Sequence, residues 1–182
     1  MKTSPLLIAL TLVLTGCGGG DDASSSAGAT PAPSKPTGPT AAPAPPMTVD
    51  INKIASDLGA AYKTRADCYA SMVKGKSLDA KQTADFYAAM ESCAQISQDI
   101  CEMMKKTPRW QRQITQALET NTKSSIIALT KAEKAYTKAK SSGSVGKTAG
   151  GCPPAIAAVI EKFSMSEMRV KGLMPYTKAE ME

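Results

Sequence analysis

Histidine is absent from all 182 residues. That removes the commonest general base, the usual activator of a serine or cysteine nucleophile and a frequent metal ligand. Aromatic side chains are scarce, at 4% of the chain, with Trp110 the single tryptophan. No stretch sustains the period-two alternation of Val, Ile and Thr that a half-buried strand requires, which argues against an all-β domain. The cysteines never stand in a CxxC pair, so the usual thiolate metal spacing is missing as well. Long apolar runs are lacking too: Leu6 to Leu14 falls well below the ~20 residues that a spanning helix needs.

That run gains meaning from what flanks it. Met1 and Lys2 supply a short basic start, and Thr15 and Gly16 are small residues in front of Cys17. A basic start, an apolar centre and small residues before a cleavage point make an export signal. The residues Leu14-Thr15-Gly16-Cys17 resemble the lipobox of bacterial lipoproteins. The resemblance stops at Cys17. It implies that segment 1–16 is removed, that Cys17 is diacylated through its sulfur, and that the new amino group is often acylated too. Gly18 holds the position that sorts such lipoproteins and implies the outer membrane. Two or three acyl chains anchor a protein durably, at about 0.8 kcal/mol per buried methylene. The implied setting is the cell envelope, lipid-anchored at the outer membrane and facing the periplasm, where nucleic acid is not an expected partner.

Residues 17–46 are almost entirely Gly, Ala, Ser, Thr and Pro, with Asp21, Asp22 and Lys35 the only charges. Such a segment buries too little apolar surface to offset its chain entropy and reads as a disordered tether, stiffened by prolines from Pro31 to Pro46. Residues 47–182 form one domain, rich in the helix formers Ala, Lys, Met and Gln. The expected class is all-α, an up-down bundle of about four helices.

Apolar spacing of three and four supports each helix. Ile51, Ile54, Ala55, Leu58, Tyr62, Tyr69, Met72 and Val73 share one face of the first, which Gly75 ends. Phe86, Ala89, Met90, Cys93, Ile100, Cys101 and Met104 do so in the second, with Ser77 as its cap and Asp79 in its first turn. The third begins at Pro108, turns Trp110, Ile114, Ala117, Leu118, Ala128, Leu129, Ala132, Tyr136 and Ala139 inward, and stops at Ser141-Ser142-Gly143. Residues 141–151 read as a second flexible stretch. Ile156, Val159, Ile160 and Phe163 then mark a fourth helix, which the capping-box pattern Ser164-Met165-Ser166-Glu167 could break before Gly172.

Beyond Cys17 the chain carries Cys68, Cys93, Cys101 and Cys152. An even number in an exported chain argues for two disulfides. Cys93 and Cys101 are eight residues apart on one helix, about 12 Å along its axis, whereas a disulfide reaches about 6.8 Å between Cα atoms. Each must then reach Cys68 or Cys152, which leaves two connectivities open. Cys68 with Cys93 and Cys101 with Cys152 is preferred because it closes the shorter loop, although a symmetric hairpin would set Cys68 level with Asp85 instead.

Little in the domain suggests catalysis, and no cofactor or metal is expected. Ser71-Met72-Val73-Lys74 matches the S-x-x-K pattern of serine acyl-enzymes, but no S-D-N follows and Lys147-Thr148-Ala149 departs from K-T-G. The methionines at 103, 104, 165, 168 and 174 could in principle form a Cu(I) thioether site, but read better as core packing.

Charge is more telling, at +6 overall. Between Lys105 and Lys147 stand ten basic residues against Glu119 and Glu133. At about 100° per residue, Arg109, Arg112, Lys123, Lys131, Lys134 and Lys138 gather on one side of the third helix. Ile127 lies in the middle of that side, and Ile126 beside it, also off the core face. A cationic ridge with an apolar centre complements an acidic protein, an anionic envelope polymer or a lipid head group. The favoured reading is a non-catalytic protein-binding module of inhibitor, toxin-immunity or envelope-assembly type. The alternative is a structural or carrier protein that binds an anionic wall or lipid component through the same ridge.

Overall fold

The computed structural model describes residues 49–174; segment 1–16, Cys17 and the tether 17–46 lie outside the described residues. Four helices follow in order: α1 (Ile51–Val73), α2 (Ala80–Lys106), α3 (Gln111–Ser141) and α4 (Pro154–Lys171), with a 3-10 turn at Pro108–Trp110 before α3. Among the described residues all regular structure is helical, which establishes the all-α class. No described helix is long and apolar enough to cross a membrane.

Local chemistry sets the ends. Asp50 caps α1, its carboxylate accepting the Lys53 amide at 3.1 Å. The cap of α2 is Asp79, not Ser77. Asp79 accepts the Gln82 amide at 2.7 Å while the Gln82 side chain accepts the Asp79 amide at 3.1 Å. This reciprocal box satisfies two otherwise orphaned donors, which a lone serine could not do. Gly75 and Gly143, with φ of 75° and 76°, close α1 and α3 in the left-handed region that glycine adopts without strain. α4 runs without a break through Ser164, whose hydroxyl turns back to the Glu161 carbonyl at 2.9 Å instead of capping a new helix.

α1 is the central element. Along it Gly59 meets Asn121, Arg65 meets Glu133 and Tyr69 meets Tyr136, so α1 and α3 run parallel. Against α2 the order reverses, Arg65 lying beside Cys93 and Tyr69 beside Phe86. α4 packs mainly on α2. Gly150, just before α4, accepts the Tyr87 hydroxyl at 3.1 Å, and Ser166 donates to Gln98 at 2.6 Å, so this part of the chain advances in the direction of α2. Direction thus alternates as the short connections predict. The neighbour relation differs: α3 lies on α1 and hardly touches α2, because Gly59 lets the α1 and α3 backbones approach closely.

Leu58, Tyr62, Ile100, Ile114, Leu118 and Leu129 are wholly buried. The inward side of α3 is rotated from the expected stripe: Ala128 is exposed, while Ile126 is 1% exposed and belongs to the core. The turn after α4 covers that flank, Met174 accepting the Thr122 hydroxyl at 3.2 Å one turn away. On α4 the expected apolar face is only half-covered at Ile156, Val159, Ile160 and Phe163; Glu167 and Val170 are its buried residues.

Candidate functional site

Helix α3 positions the ridge. Ile114, Leu118 and Leu129 anchor its inner side, and the expected cations stand on the opposite one. Arg109, Arg112, Lys131, Lys134 and Lys138 are exposed, whereas Lys123 and Ile127 are half-buried. Glu133 turns away from these cations to Arg65, which leaves Glu119 as the acidic residue on that side. With Ile126 withdrawn into the core, Ile127 is the apolar element of the ridge.

A second constellation escaped the sequence reading. Arg65 of α1 donates from Nη1 to Glu167 of α4 at 2.6 Å and from Nη2 to Glu133 of α3 at 2.8 Å. Lys171 completes it, 2.9 Å from Glu167 and with its ammonium 5.5 Å from the Tyr62 ring centroid. Two cations thus face two carboxylates, and the cluster ties three helices together. Burial alone would push the Glu167 carboxyl up, but Arg65 and Lys171 outweigh it and hold it below the usual carboxylate range. Burial likewise opposes the Arg65 charge, and Glu167 overcomes it, so the guanidinium stays firmly protonated. Cys93 of α2 lies beside Arg65. Burial pushes its thiol up to about 11, more than Arg65 lowers it, so it remains a protonated, poor nucleophile. The hydroxyls of Tyr62 and Ser97 are buried nearby with no hydrogen-bond partner among the described residues. Charges matched in pairs across α1, α3 and α4 hold these helices together.

The expected disulfides are corrected: Cys68, Cys93, Cys101 and Cys152 are all free thiols. The helix register is the reason. Cys68 feels the charge of Asp85 across the α1–α2 pair, and Cys93 lies eight residues further on, about 12 Å along α2. Cys101 points its sulfur at the Ser166 carbonyl at 3.8 Å, while Cys152 precedes α4, about 20 Å away along that helix. Neither distance is within disulfide reach.

Ser71 does not face a base. Its hydroxyl is spent on the Asp67 carbonyl at 3.0 Å, within its own helix. The methionines take separate roles: Met103 and Met104 pack against the core, Met174 accepts from Thr122, and Met165 and Met168 are 72% and 65% exposed. Among the described residues no three His, Cys, Asp or Glu side chains are placed to hold a metal ion.

The stretch 141–151 is not the flexible connection expected from its glycines and serines. Its backbone forms a strap tied to the end of α1, the α1–α2 loop and the first turn of α2. The Gly146 amide donates to the Met72 carbonyl at 2.8 Å and Leu78 donates to the Lys147 carbonyl at 2.8 Å. Lys147 donates to Ser77 Oγ at 3.1 Å, and Ala149 to Thr83 Oγ1 at 2.9 Å. Any Cβ at Gly146 would overlap the Lys76 carbonyl oxygen, so glycine is what lets the two loops lie in contact. Between the strap and the helices a groove of about 580 Å³ opens, walled by Tyr69, Phe86, Tyr87 and Tyr136. Hydrogen-bonding loops leave no hydrophobic period, which is why residues 141–151 read as a flexible stretch.

No family model, curated protein or solved structure matches the chain. Function has to be read from its own residues.

Proposed function

We propose that this chain is a lipid-anchored envelope protein, acylated at Cys17 and held off the membrane by the tether 17–46, whose helical domain is a non-catalytic protein-binding module. The carrying observation is the α3 ridge. From Arg112 to Lys138 its cations line the side opposite the core over about 39 Å of helix, with Arg109 in the turn just before it. Glu133, which could have neutralised them, is drawn inward by Arg65. Such a surface suits an acidic face on a protein of the envelope, in an inhibitory, toxin-immunity or assembly role. Catalysis has no support in the arrangement of Ser71, Lys74 or the thiols.

Two outcomes are expected. The native protein should have an intact mass that lacks segment 1–16 and includes a diacylglycerol on Cys17; an unmodified thiol there removes the anchor from the proposal. Full-length protein used as bait in an envelope extract should capture an acidic partner. The triple variant Lys131→Glu/Lys134→Glu/Lys138→Glu should lose that capture with its helical circular dichroism unchanged. Undiminished capture dismisses the ridge. Binding that collapses steeply as salt rises, and that transfers to an anionic polymer or lipid, would instead favour the structural or carrier role.

A further inference from the structure

We propose that the aromatic groove under the strap is a second, separate binding site, for a small organic anion with a flat apolar body. Half of the chain's eight aromatic residues converge there, in a protein that is otherwise poor in them. Tyr136, Tyr69, Phe86 and Tyr87 form a continuous series of rings with centroids 5.0, 5.2 and 5.5 Å apart. Rings at these spacings offer faces and edges to a further ring. Met72 and Met90 add polarizable, adaptable surface between them. The groove's volume, about 580 Å³, falls in the range of small-molecule sites, roughly 300–1,000 Å³.

Charge selects the ligand. Lys140 and Lys147 stand on the lining and no carboxylate does. Ammonium groups beside an apolar wall act through a weaker dielectric than bulk water, which strengthens their hold on an anion. The site is also built before the ligand arrives. Two backbone–backbone bonds and two from strap amides to the Ser77 and Thr83 hydroxyls fix the strap, and the Tyr87 hydroxyl donates to the Gly150 carbonyl at 3.1 Å, so little ordering cost remains on binding. An apolar ring system would lie among the aromatic side chains with its carboxylate, sulfonate or phosphate toward the two lysines. This site is independent of the ridge, which lies on the other side of α3.

The test uses 4-benzoylbenzoate, an aryl carboxylate that couples to nearby C–H bonds on irradiation, with the full-length chain and peptide mapping by mass spectrometry. Saturable adducts are expected on Met72, Met90 or residues 145–151. Lys140→Glu/Lys147→Glu should lower the yield about tenfold, a loss of roughly 1.4 kcal/mol in binding. Both side chains are exposed, so helical circular dichroism should not change. Lys131→Glu/Lys134→Glu, on the ridge, should leave the yield as it is, which keeps the two proposals separable. Adducts scattered outside the groove, an absence of adducts, or equal yield in the Lys140/Lys147 variant would overturn the assignment.

Discussion

Arg65→Met should destabilise the domain by about 3–5 kcal/mol in urea denaturation, among the largest effects of any single replacement here. Met is close to Arg in length and apolar, so packing is roughly kept and the loss is electrostatic. Removing the guanidinium leaves Glu167, 9% exposed, with Lys171 alone, and leaves Glu133 without its 2.8 Å partner. A buried charge without compensation is costly, whereas a matched buried pair replaced whole by apolar residues is often neutral. The double variant Arg65→Met/Glu167→Met should therefore recover most of the stability. If it is as unstable as the single variant, the loss comes from packing and the ion network is not the cause.

Acidity provides an independent check on the same cluster. The Glu167 carboxyl is held below its ordinary value in the folded state, so it contributes stability that is present in full above the unfolded value of 4.5. That contribution is lost as the pH falls through the folded value. The difference in stability between the wild type and Arg65→Met should accordingly narrow as the pH falls below 4.5. A difference that stays constant across that range would mean that Glu167 is not the coupled group.

Gly59→Val is the second large effect, expected at about 3 kcal/mol. Glycine in a helix interior is itself unfavourable by about 1 kcal/mol relative to alanine, so its presence in the middle of α1 needs a packing reason. The Asn121 carbonyl oxygen of α3 lies where a Cβ would be, with the Asn121 carbonyl carbon and Thr122 Cα close behind. These are backbone atoms and cannot swing aside. A side chain at 59 must push α3 off α1, which also stretches Arg65 away from Glu133. Ala60→Val, on the exposed side of the same helix, is the control and should change stability by less than about 0.5 kcal/mol. Equal thermal shifts for the two variants would show that the close approach of α1 and α3 is unimportant.

Part of the cluster around Arg65 could have been read from spacing. In α1, Leu58, Tyr62, Tyr69 and Met72 leave a gap that Arg65 fills, and Glu167 follows Phe163 by four residues in α4. Charges of opposite sign at core-facing positions of different helices are what a buried ion pair looks like in one dimension. Glu167 stands at a core-facing position of α4, yet nothing in α4 alone names its partner 102 residues away. The ridge was legible because it belongs to a single helix, where angle follows directly from residue number. Ile126 lies off the core face by helix angle alone, yet it is buried in the core formed by residues of several helices and the turn after α4, which no angle within α3 encodes.

Helix class, the glycine stops after α1 and α3 and the cationic side of α3 followed from local properties of the chain, propensity and the 3.6-residue period, each of which acts within a few residues. The cap of α2 and the unbroken run of α4 did not. Which helices became neighbours, whether the cysteines could meet, and that residues 141–151 would close a groove were settled only by packing in three dimensions. Those outcomes depend on contacts between segments distant in the chain, such as Gly59 against Asn121 and Gly146 against Lys76. Their energies come from backbone approach and loop hydrogen bonds, neither of which leaves a periodic trace along the chain.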